Sequence, residues 1–163
     1  MRRGYWQRFG TTLAGLMEEH AIDPDPYLDE VHDISLAHLS PAPDLAERIA
    51  ALPGRRIVYT NGSAPYARRV LEARGLSRVF DAVFGVENAD YRPKPERAAF
   101  DSVFAKAGVA PKEAAMFEDE PRNLAAPHAM GMRTVLVAPE PDAAPHIHHH
   151  TDDLTRFLSH LTG

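Results

Sequence analysis

Four short apolar runs, alternating with helical stretches, limit what this chain can become more than any other feature. They are Ile57-Val58-Tyr59, Ala82 to Val86, Ala114 to Phe117 and Thr134 to Val137. Between them lie segments with apolar residues at helical spacing: Pro65 to Arg74, a helix opened by Pro95 that carries Phe100, Val103 and Phe104, and Asn123 to Met130. Gly75, Gly108 and Gly131 stop these helices. Strands and helices in this alternation predict an α/β fold, a doubly wound parallel sheet with helices on both faces. In such a sheet, ligands sit beyond the carboxyl ends of the strands.

The chain reads differently upstream. Tyr5, Phe9, Leu13, Leu16 and Met17 give Arg2 to His20 the pattern of an amphipathic helix interrupted near Gly10. Met1 already lies inside that pattern, as in a chain that begins within a helix. Asp23-Pro24-Asp25-Pro26 breaks it, and Tyr27 to His32 forms a second helix. Ser40-Pro41-Ala42-Pro43 is the boundary, dividing a helical segment, 1–43, from the α/β segment, 44–163. Asp44 to Leu52 opens the α/β segment with a helix. A loop rich in Pro and His leads to a last helix, Asp152 to Leu161.

A length of 163 residues suits one domain with a small appendage. The formal charge of -5, with basic residues scattered, argues against binding nucleic acid through bulk electrostatics. Without cysteine, disulfides and thiolate chemistry are excluded. No apolar stretch is long enough to span a bilayer, and no apolar signal region follows the basic start. These features are compatible with the cytoplasm, which is the expected location.

Three segments carry chemistry. Thr60-Asn61-Gly62 leaves the first strand, offering a hydroxyl, an amide and a backbone that a phosphate can approach closely. Lys94 stands in Arg92-Pro93-Lys94-Pro95, where two prolines fix the loop that aims its ammonium. Glu118-Asp119 ends the third strand, and paired carboxylates there call for a compensating cation such as Mg²⁺. Asn123 can cap the next helix or bond those carboxylates. Each segment also has a plain structural reading, as a turn, a solvated lysine and an acidic helix start. Their common placement at strand ends favours a phosphate held beside a divalent metal.

In order and spacing these segments resemble the motifs of the haloacid dehalogenase-like phosphohydrolases, and most of all the pyrimidine 5′-nucleotidase group. Gly10-Thr11-Thr12-Leu13-Ala14-Gly15-Leu16 and Val31-His32-Asp33 resemble that group's helical cap. Ile57 to Gly62 resembles the second motif and Arg92 to Pro95 the third. Phe117-Glu118-Asp119 with Asn123-Leu124, followed by Gly131-Met132 and Thr134, resembles the fourth. The resemblance implies two-step phosphoryl transfer through an aspartyl-phosphate, with Mg²⁺ as cofactor. It implies Asp119 as metal ligand, Glu118 contacting the metal or its waters, and Thr60, Asn61 and Gly62 on the phosphate. Lys94 would steady the nucleophile and the transferred charge, and His32 and Asp33 would lie where substrate can be touched. The implied partner is a small phosphorylated metabolite such as a nucleoside monophosphate.

One departure stands out. The family's first motif, Asp-x-Asp-x-Thr at the end of an N-terminal strand, has no counterpart here. Asp23-Pro24-Asp25 has two acids, but Pro26 and Tyr27 follow and no apolar strand precedes it, so it is a helix-entry turn. The expected fold therefore lacks its central first strand, leaving a gap of about 9–10 Å between the strands of Tyr59 and Phe117. Both strands would then expose an unpaired edge. A truncated form of a longer enzyme is one expectation, and a non-catalytic relative that binds phosphate or a protein partner is the other. A dehalogenase on the same scaffold is a third reading, disfavoured by Lys94 and the acidic pair. Glu120 stands where the family often has a small hydroxyl residue. His146-Ile147-His148-His149-His150 reads as a solvated loop rather than a metal site.

Overall fold

The computed structural model describes residues 2–162. The expectation placed on Met1 lies outside them. Helices α1 (Arg2–Phe9) and α2 (Thr12–His20) are separated at Gly10, whose φ of 82° is a left-handed turn. Thr11 caps α2 by accepting from the N–H of Ala14. α1 and α2 pack closely because Gly15 has no side chain. A Cβ there would lie 2.5 Å from the Tyr5 ring. α3 (Pro24–His32) starts at Asp23, whose carboxylate accepts from the N–H of Asp25. The two acids of Asp23-Pro24-Asp25 thus form the expected helix entry. Leu13 and Leu28 bury against Val86, with Met17, Tyr27 and Tyr91 around them. The first three helices are thereby tied to the segment that follows the second strand.

The remaining elements alternate as the apolar runs predict. In order they are α4 (Pro43–Ala50), β1 (Ile57–Tyr59), α5 (Ala64–Ala73) and β2 (Ala82–Phe84). After a 3₁₀ turn at Val86–Ala89 come α6 (Arg97–Ala107), β3 (Ala115–Glu118) and a 3₁₀ turn at Pro121–Leu124. α7 (Ala125–Ala129), β4 (Arg133–Val137), β5 (His149–Thr151) and α8 (Leu154–Thr162) complete the chain. Every ladder is parallel: β1 with β2, β3 with β4, and β4 with β5. One core packs Phe100, Val103 and Phe104 of α6 against Tyr59, Phe84 and Met116. Another packs Ile49 of α4 and Leu158 of α8 with Phe80, Phe117 and Phe157. Neighbouring residues Met116 and Phe117 thus serve opposite cores, which is the period of a strand covered on both faces.

One finding modifies the expected sheet, and a second concerns its expected division. β5 falls in the segment read as a solvated loop, so the His-rich run is in part a strand. Its histidines are used locally: His146 donates from Nε2 to the carbonyl of Pro121 at 2.9 Å, and His150 to that of Ala138 at 2.7 Å. The sheet is also in two pieces. Among the described residues, no backbone hydrogen bond joins β1 to β3. The apolar runs of these two strands are correspondingly half-buried, whereas Thr134, Val135 and Leu136 of β4, flanked on both sides, are buried. Among the described residues, no helix is long and apolar enough to cross a membrane.

Candidate active site

The two pieces of the sheet meet at the carboxyl ends of β1 and β3, and Lys94 joins them. Its ammonium donates to the Tyr59 carbonyl at 3.2 Å and to Glu118 Oε2 at 2.5 Å. It also lies 5.2 Å from the centre of the Tyr59 ring, a cation–π contact. Lys94 is 6% exposed and Glu118 8%, so this ion pair is withdrawn from water. A buried pair of this kind holds only when the leftover hydrogen-bonding capacity is met. Here the second Glu118 oxygen accepts from the N–H of Glu120 at 3.3 Å.

The loop of Lys94 is positioned by Asn61. The Asn61 side chain accepts from the Lys94 N–H at 2.8 Å and donates to the Lys94 carbonyl at 3.1 Å. This two-bond clamp makes Asn61 a positioning residue for Lys94 and uses one of its two amide N–H groups. The Thr60 hydroxyl accepts from the N–H of Gly62 at 3.0 Å, so its own proton stays available to a ligand. Pro93 is fully buried beside Lys94, and the Lys94–Pro95 peptide is cis.

The acidic side of the site is crowded. Burial pushes the Glu118 carboxyl above the usual carboxylate range, while the Lys94 ammonium opposes it. A hydrogen bond with Asp119 raises it further, and one from Asn123 lowers it. Asp119 is exposed, and Asn123 is buried with its Oδ1 unpartnered. Hard oxygens of this kind suit a partly hydrated divalent cation, which takes few protein ligands. Among the described residues, no three His, Asp or Glu side chains form a self-sufficient metal cage. Asp119 is exposed and could meet such an ion, whereas Glu118 is committed to Lys94.

His32 reaches the same rim from α3. It stacks on Tyr66 with ring centres 4.2 Å apart, and its Nδ1 bonds Ser63 Oγ at 3.1 Å. A Cβ on Gly62 would lie 3.4 Å from its Nε2. Burial pushes His32 below the ordinary histidine range, against the pull of Glu87 and Asp29. Asp33 is exposed at the end of α3 and makes no side-chain hydrogen bond among the described residues. Glu120 pairs with Arg122 at 3.7 Å, and Arg122 donates to the Gly10 carbonyl at 3.1 Å. A cavity of about 350 Å³ lies beside the Lys94 loop, with Arg8, Gly10, Glu18, Pro95, Glu96 and Arg122 in its wall.

Three contributors were not singled out from the sequence. Tyr59 supplies both a carbonyl and a ring to Lys94. Ser63 caps α5 and holds His32, and its place before Ala64-Pro65 is a readable helix-start signal. Glu87 accepts from the N–H of Ala64 at 2.8 Å while its other oxygen is buried without a partner. Nothing in its sequence surroundings marks it.

Residues 2–131 match the haloacid dehalogenase-like hydrolase family. The chain belongs to that family. Solved structures similar to this hydrolase include a dehalogenase crystallised with an intermediate complex. The two are 20% identical over 98% of this chain and 73% of the other, with a TM-score of 0.64. A predicted phosphoglycolate phosphatase from Haemophilus somnus 129pt is 22% identical over 85% of this hydrolase and 63% of its own chain, with a TM-score of 0.63. L-2-haloacid dehalogenase from Xanthobacter autotrophicus is 21% identical over 76% and 62%, with a TM-score of 0.61. At these identities the likeness is one of fold.

Proposed function

We propose that this hydrolase is built for phosphomonoesters and works with Mg²⁺, in the manner of the pyrimidine 5′-nucleotidases. Its substrate would be a small phosphorylated metabolite such as a nucleoside monophosphate, with residues 1–43 acting as a partial cap. The observation that carries this reading is the fixed ammonium of Lys94, held between the Tyr59 carbonyl and Glu118 at the strand end from which Thr60 leaves. Such a cation, preorganised at the strand ends, stabilises charge that develops on transferring phosphoryl oxygens. The Thr60 hydroxyl donates to a phosphate oxygen, and the Asn61 clamp keeps Lys94 in register with it. Asp119 would hold Mg²⁺, with Glu118 and Asn123 fixing the carboxylate's surroundings. The ion, when bound, neutralises phosphate charge.

Attack on phosphorus also needs a carboxylate that is neither paired with Lys94 nor reserved for the cation. This reading assigns Glu118 to Lys94 and Asp119 to the cation, and no segment here resembles the family's first motif, so negligible turnover is expected. The deciding measurement is therefore binding. Titration with inorganic phosphate should move the amide resonances of Thr60 and Gly62, more strongly with Mg²⁺ present, and Lys94→Met should abolish the effect. A flat response at both amides would overturn the reading. So would Mg²⁺-independent chloride release from a 2-haloacid, which would favour a dehalogenase.

A further inference from the structure

At the other end of β3 and β4, about 10 Å of strand away from Glu118, lies a second cavity that the proposed reaction does not use. Its volume is about 210 Å³, and its wall includes Lys112, His128, Gly131, Arg133 and His148. No carboxylate lines it, although the protein as a whole carries a formal charge of -5. Among the described residues, neither Lys112 nor Arg133 has an ion-pair partner or a side-chain hydrogen bond. Lys112 is held in place because its chain crosses Gly131, where an added Cβ would lie 3.1 Å from Lys112 Cγ. Gly131 has a φ of 91°, so the turn that makes this crossing favours glycine on two counts.

The histidines decide between a metal and an anion. His128 and His148 face each other with ring centres 4.9 Å apart, a pairing that invites a metal. However, the backbone N–H of Thr134 donates to His148 Nδ1 at 3.1 Å. Thr134 is fully buried, and its hydroxyl lies 2.7 Å from the same Nδ1 and 2.7 Å from the His146 carbonyl, so a proton turned to Nδ1 completes the same pattern. An Nδ1 that accepts from this backbone N–H places the proton of the neutral ring on Nε2. An imidazole in that tautomer has no lone pair left for a metal, but it has a donor for an anion. Partial desolvation, and then the charges of Arg133, His128 and His149, also keep His148 below the ordinary histidine range.

We infer that this cavity is an anion site for a phosphate-sized oxyanion, gripped by Lys112 and Arg133 and contacted by the His128–His148 pair. Its volume lies below that of typical small-molecule pockets, which fits a compact anion. The site is separate from the proposed hydrolysis: the hydrogen bonds and ion pair of Lys94 and Glu118 involve none of its residues.

The test is a titration of the intact chain with inorganic phosphate, followed by backbone amide and imidazole resonances. Saturable shifts are expected at Gly131, Met132, Arg133 and the His148 ring, and they should be the same with and without Mg²⁺, unlike those of Thr60 and Gly62. The double variant Lys112→Gln/Arg133→Gln should weaken them about tenfold or more. Both side chains are exposed and unpaired, so that variant should fold normally. The inference is overturned if these resonances do not respond, if chloride at equal ionic strength gives the same shifts, or if the double variant responds unchanged. It is also overturned if Zn²⁺ removes the Nε2 proton of His148, which would make the pair a metal site.

Discussion

Lys94→Met leaves the Glu118 carboxyl buried beside Asp119 without its counter-charge. Breaking a buried pair from one side typically destabilises by about 3–5 kcal/mol. Urea denaturation should show a loss of that order, and Lys94→Met/Glu118→Leu should recover much of it. Asn61→Ala removes both bonds to the Lys94 backbone and should cost about 1–3 kcal/mol, read in the same assay. His32 offers a pH prediction. Its folded pKa is depressed, so its contribution to stability is present above the ordinary value of about 6.5. That contribution should decline as pH falls through the folded value, and an NMR titration of the ring should give a midpoint below the ordinary one. At this scale the sequence disclosed which residues gather but not how they are used. Thr60, Lys94 and Glu118 could be named from strand ends and prolines. That Asn61 holds Lys94, and that Glu118 is spent on it, depends on side-chain geometry that spacing does not encode.

Elements were legible where apolar period and stop signals agree. The helices of Pro65 and Pro95 and the four apolar strands were all foreseeable within a few residues. β5 was not, because His149-His150-Thr151 is a polar run with no strand signature. It pairs because β4 offers an open edge and because buried Thr134 and the Ala138 carbonyl bind histidine side chains. The turn after β2 shows how tightly neighbouring elements are fitted. A Cβ on Gly85 would lie 2.3 Å from the Ala64 nitrogen and 2.3 Å from Glu87 Oε2. Gly85→Ala should therefore push Glu87 off the start of α5 and destabilise by about 1–3 kcal/mol, measurable as a lower melting temperature.

For the molecule as a whole, the parallel arrangement and the two-faced core followed from the alternation of elements. The division of the sheet was expected from the missing resemblance at the first motif, and its form is now concrete: among the described residues, no ladder joins β1 to β3. Because the tie between the pieces is buried, high salt should hardly weaken it, unlike the exposed pair of Arg97 and Asp101. Side-chain tips, and not a ladder, span the middle. Under tension, a ladder loaded along its length shares force over many bonds at once, whereas tip contacts give way singly. Stretched between β2 and β5 in an optical trap, this protein should yield first at its waist, at low force, with each half-sheet still intact.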